Sequence, residues 1–508
     1  MVQTHSRTAH DYAQWVSMLV AHGGSYGIVS VLSQQVGVAR QTLYRWKAKG
    51  LATLEAAFAP TAQGGPPACP VERAILTLLV EGHASYRGIQ QCLWVLLGQH
   101  VSLGKIAAVV QSAGKLAQDW LGYHAPDTPR ALALDELYGS KHGEAYLNVV
   151  DVHSGAVWAS TSPVAVDGES WTLVLWQLQE QGIDWQSTVS DGGRAIGEAV
   201  STVTPQRPHQ RDVWHVLHLW KPIQARLDLL VERLEQQVPV VARQAARLAA
   251  GKGLRGKRPK SDVSAHAAEL AQARYVANGL RYLSGELHRL LEVVVLATHP
   301  GQGVVSSSVR QGELETVLIL LDELSHTAPD GMQHELRKLV TRLEAALPQL
   351  VLFAPALDEM QASVSQLLGP QALHLLAWAW QRRAILGPSS QDLLKDVPPD
   401  WRPLAEPLLA AWDGAVRASS AVENWHSVLR PYLAVHRTLS TAMLALLALW
   451  HNHRVAQRGL HQGQSPLIRS GLTPVTNDWL EALGYPPPGE THPPEPRADP
   501  QPVLALAA

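Results

Sequence analysis

The stretch RALALDELYG, Arg130 to Gly139, decides the fold class because it predicts a strand that carries an acid, Asp135. Two further short apolar runs follow it, EAYLNVVDVHSG and AVWASTSP, and turns that contain Gly and Ser separate the three runs. Short apolar runs bounded by such turns are typical of β-strands. The sequence therefore predicts a meander of three antiparallel strands that begins at this stretch.

The chain after the meander alternates between helix and strand. The segment GESWTLVLWQLQEQG, Gly168 to Gly182, has helical spacing of its apolar residues, and WQSTVSDGG predicts a fourth strand that ends at Asp191. A short helix in RAIGEAV and a fifth strand in PHQRDVWHVLH follow. The predicted order is β-β-β-α-β-α-β-α. From Leu219 to Pro407 strand signals are nearly absent, and amphipathic helices such as QARLDLLVERLEQQV fill the segment.

The composition describes a folded chain with no strong overall charge. Of the 508 residues 46% are hydrophobic and 17% are charged, and the formal net charge of -2 excludes a globally basic protein. The two cysteines, Cys69 and Cys92, have no CxxC spacing, which argues against a disulfide scaffold and a structural zinc site. The N-terminus lacks a signal-peptide pattern, and the longest apolar runs are shorter than the roughly 20 residues that span a bilayer. We therefore expect a cytoplasmic protein without a membrane partner.

The segment GIVSVLSQQVGVARQTLYRWKAKG, Gly27 to Gly50, has the pattern of a helix-turn-helix, with Gly37 at the turn. The apolar positions that pack its two helices are Ile28, Val31 and Leu32 in the first and Val38, Leu43 and Trp46 in the second. The outward side of the second helix carries Arg40, Gln41, Thr42, Tyr44, Arg45 and Lys47. Such side chains reach phosphates and base edges when a helix enters the major groove. The alternative is a helical packing element with a solvated basic face.

Three acids are candidates for chemistry. Asp135 lies on the first predicted strand and Asp191 ends the fourth, so the two carboxylates lie at similar height if these strands are neighbours. Glu423, in RASSAVENWHSVLR, would add a third carboxylate from a helix. Mg²⁺ prefers oxygen ligands in octahedral geometry, and two such ions about 3.5–4 Å apart promote phosphodiester transfer. The three acids therefore predict a site for two Mg²⁺ or Mn²⁺ ions.

The motifs ALALDELYGS, STVSDGG and SSAVENWHSVLR together resemble the acid motifs of DDE transposases, which have a ribonuclease H-like core. The long helical stretch between Asp191 and Glu423 is similar to the all-α insertion of bacterial insertion-sequence transposases of the Mutator-like type. The motif RDVWHVLHLW is similar to their (C/D)xxH element, with Asp212 and His215 in those places. The resemblance covers about residues 25–50 and 130–460. Asp instead of Cys at position 212 leaves the subfamily open.

The resemblance implies an α/β ribonuclease H-like catalytic core with a large α-helical insertion, preceded by an N-terminal helix-turn-helix region. It implies a transposase that binds the terminal inverted repeats of a mobile element and catalyses strand cleavage and strand transfer. Asp135, Asp191 and Glu423 would be the catalytic and metal-binding residues, and Mg²⁺ or Mn²⁺ the cofactor. The partners would be double-stranded DNA, at element ends and target, and further copies of the chain. The location would be the nucleoid of a bacterium.

These expectations divide the chain into consecutive regions. The second helical region is either a spacer or a DNA-binding unit whose Arg87, Lys105 and Lys115 meet the backbone, and Ser102 is a predicted helix N-cap inside it. The regions are 1–60, helix-turn-helix; 61–70, linker; 71–128, second helical region; 129–218, first part of the core; 219–410, helical insertion; 411–460, C-terminal helices with the third acid; and 461–508, a Pro-rich, partly disordered tail.

Several residues keep two interpretations at this stage. Glu136 competes with Asp135, because a slip of one residue along a strand exchanges its faces. Asp212 either coordinates metal or caps the helix after it, and His215 is a structural or DNA-proximal residue more readily than a ligand. Trp425 either stacks on a DNA base or belongs to a core.

The remaining predicted DNA contacts surround the third acid and one basic loop. They are Asn424, Trp425, His426, Arg430, His436, Arg437 and Arg454, together with GKGLRGKRPK, Gly251 to Lys260, which has five positive charges and no negative one. Two other functions fit the same motifs. One is an inactive DNA-binding or regulatory derivative, and the other is a ribonuclease H-like nuclease that cuts without joining.

Overall fold

The computed structural model describes residues 8–22, 27–58, 70–126, 130–251, 263–297, 303–383, 389–459 and 461–487. The protein is mostly helical (68%) and has a mixed sheet of six strands. The chain divides into two compact units, one within Met1–Pro70 and the other spanning Val71–Tyr485. The predicted linker 61–70 except Pro70, and the basic loop except Gly251, lie outside the described residues.

The N-terminal unit consists of helices α1 (Ala9–His22), α2 (Ile28–Val36) and α3 (Arg40–Phe58). Gly37 ends α2 in the left-handed conformation, with φ 66°, which confirms its predicted place in the turn. The buried residues Leu19, Leu32 and Leu43 form the centre of the unit. Val31 does not join them, because it is 53% exposed, so its predicted packing role is wrong. Val29 packs there instead, since it lies one helical turn from Leu32 on the same face.

Six strands form the sheet of the larger unit in the order β3-β2-β1-β5-β6, with β4 paired to β2. They are β1 (Arg130–Tyr138), β2 (Glu144–Asp151), β3 (Val157–Ser160), β4 (Val164–Ala165), β5 (Trp185–Ser190) and β6 (His209–Arg211). The predicted antiparallel meander is confirmed, because β2 pairs antiparallel to β1 and β3 antiparallel to β2. Strand β5 pairs parallel to β1, and β6 parallel to β5. Strand β4 was not predicted, since two residues are too few for a recognisable pattern.

The helices around the sheet complete one hydrophobic core. They are α4 (Val71–Val80), α5 (Tyr86–Leu97), α6 (Leu103–Tyr123), α7 (Gly168–Glu180) and α8 (Arg194–Val203). Helix α9 (Val213–His218) packs instead with the helical segment that follows it. The second helical region packs into this core, and Ser102 caps α6 as predicted, accepting a hydrogen bond from Lys105 N. Gly114 of α6 lies against the backbone carbonyl of Ala442, so a Cβ at this glycine would overlap that oxygen.

A long helical segment follows α9 and forms two further hydrophobic cores. Its helices are α10 (Lys221–Ala249), α11 (Val263–Glu292), α12 (Ser307–Thr327), α13 (Asp330–Leu350), α14 (Pro355–Leu368), α15 (Pro370–Gln381), α16 (Ser390–Asp396) and α17 (Arg402–Asp413). In the described part of the chain no single helix could cross a bilayer, although α13 and α14, bent by 53°, pass that test together by length and composition.

The chain then returns to the sheet through α18 (Ser420–Val435) and α19 (Thr441–His453). The first part of the predicted tail is folded as well, with the short helices α20 (Pro466–Arg469) and α21 (Trp479–Ala482). Leu467 and Trp479 from these helices are buried in the core of the sheet. Residues 488–508, which hold most of the Pro-rich sequence, lie outside the described residues.

Candidate metal centre

Asp135 and Asp191 lie at the same height on neighbouring parallel strands, as the sequence predicts. In the register of β1 and β5 Leu134 is opposite Ser190. Asp135 follows Leu134 in the sequence, and Asp191 follows Ser190. Both acids therefore lie where the pairing of β1 with β5 ends. Asp135, Glu136 and Asp191 offer carboxylate oxygens that all lie within 4.8 Å of one another.

Glu423 reaches the same place from the first turn of α18. The buried face of that helix, which includes Val422, Trp425 and Leu429, packs in the core of the sheet. Glu423, Asp135 and His426 form a second group whose ligand atoms lie within 4.8 Å of one another. Asp135 belongs to both groups, so it lies between the acid of β5 and the acid of α18.

Asp212 holds the beginning of α18 in place. It directly follows β6 and is 1% exposed. Its Oδ2 accepts hydrogen bonds from the backbone N–H of Ser419, at 2.8 Å, and from the Ser419 hydroxyl. Its Oδ1 accepts from His215 N at 3.1 Å, which caps α9. Next to it the backbone N–H of Val213 donates to the carbonyl of Arg417 at 2.9 Å. The helix-cap interpretation of Asp212 is therefore confirmed, and its oxygens are engaged by the protein.

His215 lies beside Asp212 and is half-buried. Its Nδ1 lies 3.2 Å from Asp212 Oδ2, and the proximity of that carboxylate raises the pKa of His215. The imidazole is therefore a partner of Asp212, in agreement with the structural interpretation of this residue.

Glu136 is a fourth carboxylate near the strand ends. Its Oε1 accepts a hydrogen bond from Trp171 Nε1 at 2.8 Å, and burial raises the pKa of this carboxyl group. It belongs to the group of Asp191 but not to the group of Glu423. Among the described residues Asp135 alone is common to both groups, which supports Asp135 over Glu136 as the first acid of the set.

The site concentrates negative charge in a partly buried place. Burial, and then the charge of Asp191, raises the pKa of Asp135 to about 7, and Glu423 acts in the same direction. Glu423 has a cationic neighbour in Arg430, with Oε2 and Nη2 3.4 Å apart. Clustered carboxylate oxygens with unfavourable mutual charge are the donors that a hard divalent cation stabilises. The residues present therefore fit Mg²⁺ or Mn²⁺.

The turn that carries Asp191 depends on Gly192. This residue has φ +81°, which favours glycine, and a Cβ here would overlap the guanidinium of Arg211. Asp191 Oδ1 accepts a hydrogen bond from Gly193 N at 2.8 Å, and Ser190 Oγ accepts one from Gly192 N at 3.1 Å. The Asp191 side chain is therefore set by a tight turn that a larger residue cannot adopt without displacing Arg211.

Two predicted DNA contacts prove to be buried. Trp425 is 0% exposed, so it cannot stack on a base, and the core interpretation is the right one. Its Nε1 donates to Asn148 Oδ1 at 3.0 Å. His426 is 2% exposed, and burial lowers its pKa to about 4. Both side chains point from α18 into the core because they share its apolar face with Leu429.

The other predicted DNA-binding side chains remain at the surface. Thr42 and Lys47 of α3 are half-buried, and the exposed residues are Arg40, Gln41, Tyr44, Arg45, Arg87, Lys105, Lys115, Asn424, Arg430, Arg437 and Arg454. His436 is half-buried and contacts the ring of Tyr86. The exposed residues are accessible to a polyanion.

The sequence did not point to Asn148 or to Ser419. Asn148 lies opposite Asp135 in the register of β1 and β2, and it is 0% exposed. The sequence did contain one indication of Asn148, which is a single amide within the apolar run YLNVVD. A polar group that is buried in such a run needs hydrogen-bond partners. For Ser419 no local signal existed, because its partner Asp212 lies on a remote strand.

No protein-family model and no curated protein sequence matches the chain. The geometry of the four carboxylates thus carries the functional argument.

Proposed function

We propose that this protein is a DNA transposase with a ribonuclease H-like core, as the sequence resemblance implies. The observation that carries the proposal is the convergence of Asp135, Asp191 and Glu423, which come from β1, the end of β5 and α18. Acids so remote in the chain have no local reason to approach one another. Their mutual repulsion is unfavourable when all of them are charged, and bound divalent cations would relieve it.

The sheet supports the same proposal. Three antiparallel strands are followed by two that run parallel to β1, and a helical segment separates the strands from the helix with the third acid. A mixed sheet interrupted by a helical insertion is compatible with the proposed ribonuclease H-like core. Asp191 directly follows β5, and Asp135 lies on β1 one residue past the last residue that pairs with β5.

The proposed cofactor is a pair of Mg²⁺ or Mn²⁺ ions held by Asp135, Asp191 and Glu423. Such ions, when bound, activate the attacking oxygen and stabilise charge on the leaving oxygen of a phosphodiester. In cleavage the oxygen of water forms a bond to phosphorus, the bond to the 3′ oxygen breaks, and that oxygen takes a proton. In strand transfer the resulting 3′-hydroxyl loses its proton and attacks a target phosphodiester, whose own 3′ oxygen leaves.

Residues outside the carboxylate set would bind the DNA. Arg430 is exposed next to Glu423, so its guanidinium is placed to contact a phosphate close to the reacting one. The exposed side chains Arg40, Gln41, Tyr44 and Arg45 of α3 would contact the element end. We propose that the protein acts in the bacterial nucleoid as a dimer or larger assembly, since two element ends must be brought together.

The test uses the full-length protein with labelled DNA that carries the inverted repeats flanking its gene, with and without Mg²⁺. We expect nicking at the element end and joining to a second DNA only with the metal ion. The variant Asp191→Asn should lose both activities and keep end binding, whereas Asp119→Asn, at an exposed acid of α6, should keep all three. Cleavage without joining would indicate a nuclease, and binding without cleavage a regulatory protein. Either result would overturn the proposal.

A further inference from the structure

The amide of Asn148 has only one orientation that satisfies its neighbours. The indole N–H of Trp425 can only donate, and it lies 3.0 Å from Asn148 Oδ1. The backbone carbonyl of Tyr146 can only accept, and it lies 2.9 Å from Asn148 Nδ2. The oxygen of the amide must therefore face Trp425, and the nitrogen must face Tyr146.

This orientation determines where His426 holds its proton. Asn148 Nδ2 also lies 3.1 Å from His426 Nε2, and an amide nitrogen can only donate. His426 Nε2 must then accept, so it has no hydrogen, and the ring is neutral with its hydrogen on Nδ1. His426 Nδ1 lies beside the acid cluster, 3.8 Å from Asp135 Oδ2 and 3.9 Å from Glu423 Oε2, and both distances are longer than a hydrogen bond.

We propose that His426 is a positioning residue and not a metal ligand: the dipole of its Nδ1–H attracts the nearby Asp135 and Glu423 carboxylates without a hydrogen bond to either. This inference rests on the proposed function and deepens it, because it concerns which cations the same site accepts. Histidine, Asp135 and Glu423 are close enough to share an ion. With its hydrogen on Nδ1, however, His426 has no lone pair on that nitrogen to offer to a metal ion. The hydrogen bonds of Asn148 with Trp425, Tyr146 and His426 therefore leave only oxygen ligands at the site.

The consequence is selectivity among divalent cations. Carboxylate and water oxygens suit Mg²⁺ and Mn²⁺, whereas an imidazole ligand favours Zn²⁺ and Ni²⁺. His426 is held by Asn148 in the one tautomer that cannot add an imidazole ligand to the set. The protein should therefore bind Mn²⁺ without the strong preference for Zn²⁺ that a nitrogen ligand would create.

Two variants distinguish the role of His426 Nδ1 from that of His426 Nε2. In His426→Asn the amide nitrogen takes the place of Nδ1 and can still donate toward the carboxylates. In His426→Gln the amide reaches the place of Nε2 and keeps only the contact with Asn148. We expect Mn²⁺ affinity, measured by calorimetry or electron paramagnetic resonance without DNA, to fall less than about tenfold in His426→Asn. In His426→Gln it should fall by roughly 10- to 100-fold, as for lost partners of metal ligands.

A direct measurement on the wild-type protein covers the case in which the variants do not fold. With ¹⁵N-labelled histidine, the ring of His426 should show a protonated Nδ1 and a bare Nε2, and Mg²⁺ should leave this state unchanged. A proton on Nε2, equal loss of Mn²⁺ affinity in both variants, or tight Zn²⁺ binding that both variants abolish would overturn the inference. If DNA is cleaved but the expected Mn²⁺ affinities and the expected tautomer of His426 are not found, only the inference is wrong. If they hold but no DNA is cleaved, the proposed function is wrong.

Discussion

Asp212 Oδ2 accepts a hydrogen bond from the backbone N–H of Ser419 at 2.8 Å, although the two residues are 207 positions apart in the chain. The bond joins the end of β6 to the start of α18, just before Glu423. Its effect is to fix the axial position of the helix that brings Glu423 to Asp135. Asp212 therefore acts on the site through the backbone of the helix.

Replacement of Asp212 by Ala should loosen this attachment. Ser419 is 0% exposed, so its N–H and hydroxyl would be left buried without their acceptor, and each such donor costs about 1–3 kcal/mol of the free energy of unfolding. We expect a lower denaturation midpoint in urea and a loss of DNA cleavage greater than the loss of stability explains. Asp212→Asn is the matched control and should recover part of both, because its oxygen can still accept. Wild-type cleavage by Asp212→Ala would show that the attachment does not position Glu423.

The acid cluster should make the metal-free protein less stable as the pH rises. The pKa of Asp135 is about 7 in the folded protein because of burial and the nearby Asp191, whereas an unfolded Asp has a pKa of about 4. Between these values the folded state binds more protons than the unfolded state, so the free energy of unfolding falls with increasing pH.

Asp135→Asn removes that titration. We expect the variant to be more stable than the wild type at pH 7 and above, by a few kcal/mol at most, with the difference disappearing near pH 4. Addition of Mn²⁺ should raise the thermal midpoint of the wild type and leave that of Asp135→Asn almost unchanged. Urea unfolding at several pH values measures the first effect. A constant difference across the pH range would contradict the assignment to Asp135.

Gly192→Ala should disable the site through the turn of Asp191. The substituted residue would have to adopt φ +81°, and its Cβ would overlap the guanidinium of Arg211. We expect a large loss of cleavage with retained end binding. The control is Gly197→Ala in α8, where a Cβ meets no atom within 4 Å. That variant should keep its activity and gain roughly 0.5–1 kcal/mol of stability from helix propensity. Similar activities of the two variants would argue against a constrained turn.

Arg45→Ala should weaken binding of the element end if α3 contacts base edges. A bidentate arginine contact is worth about 1–3 kcal/mol, and its loss should lower discrimination against unrelated DNA. Lys49→Ala removes the same charge from another exposed position of the helix and serves as the control. Fluorescence anisotropy at several salt concentrations separates the two effects. Equal losses for both variants on every DNA would indicate that α3 makes only phosphate contacts.

The strands and the acids at their ends were predictable because the information is local. Apolar runs and turn residues indicate β1 to β3 and β5, and parallel pairing of β1 and β5 brings Asp135 and Asp191 to one height. The role of Asp212 as a helix cap was likewise one of the two roles predicted from the sequence, since Asp212 directly precedes α9. Gly37 was predictable for the same reason, because its role depends only on its own backbone.

The contacts of His426 were not predictable, since they depend on the register of β1 with β2 and on the docking of α18. Only in the folded chain does Asn148 lie opposite Asp135 and within reach of both Trp425 and His426. The chain has 17 tryptophans, so the residue type could not tell a core indole from one that stacks on a base. The error at Val31 has a simpler cause, because a shift of helical phase exchanged it with Val29.

The hydrogen bonds of Asp212 with Ser419 and of Val213 with Arg417, between the residues after β6 and those before α18, also have an architectural consequence. They join the two ends of the segment that contains α10 to α17, and Gln210 of β6 adds hydrogen bonds to Leu350 and Phe353 within that segment. Changes of length in the loops of this segment that keep these contacts should therefore leave the position of Glu423 unchanged.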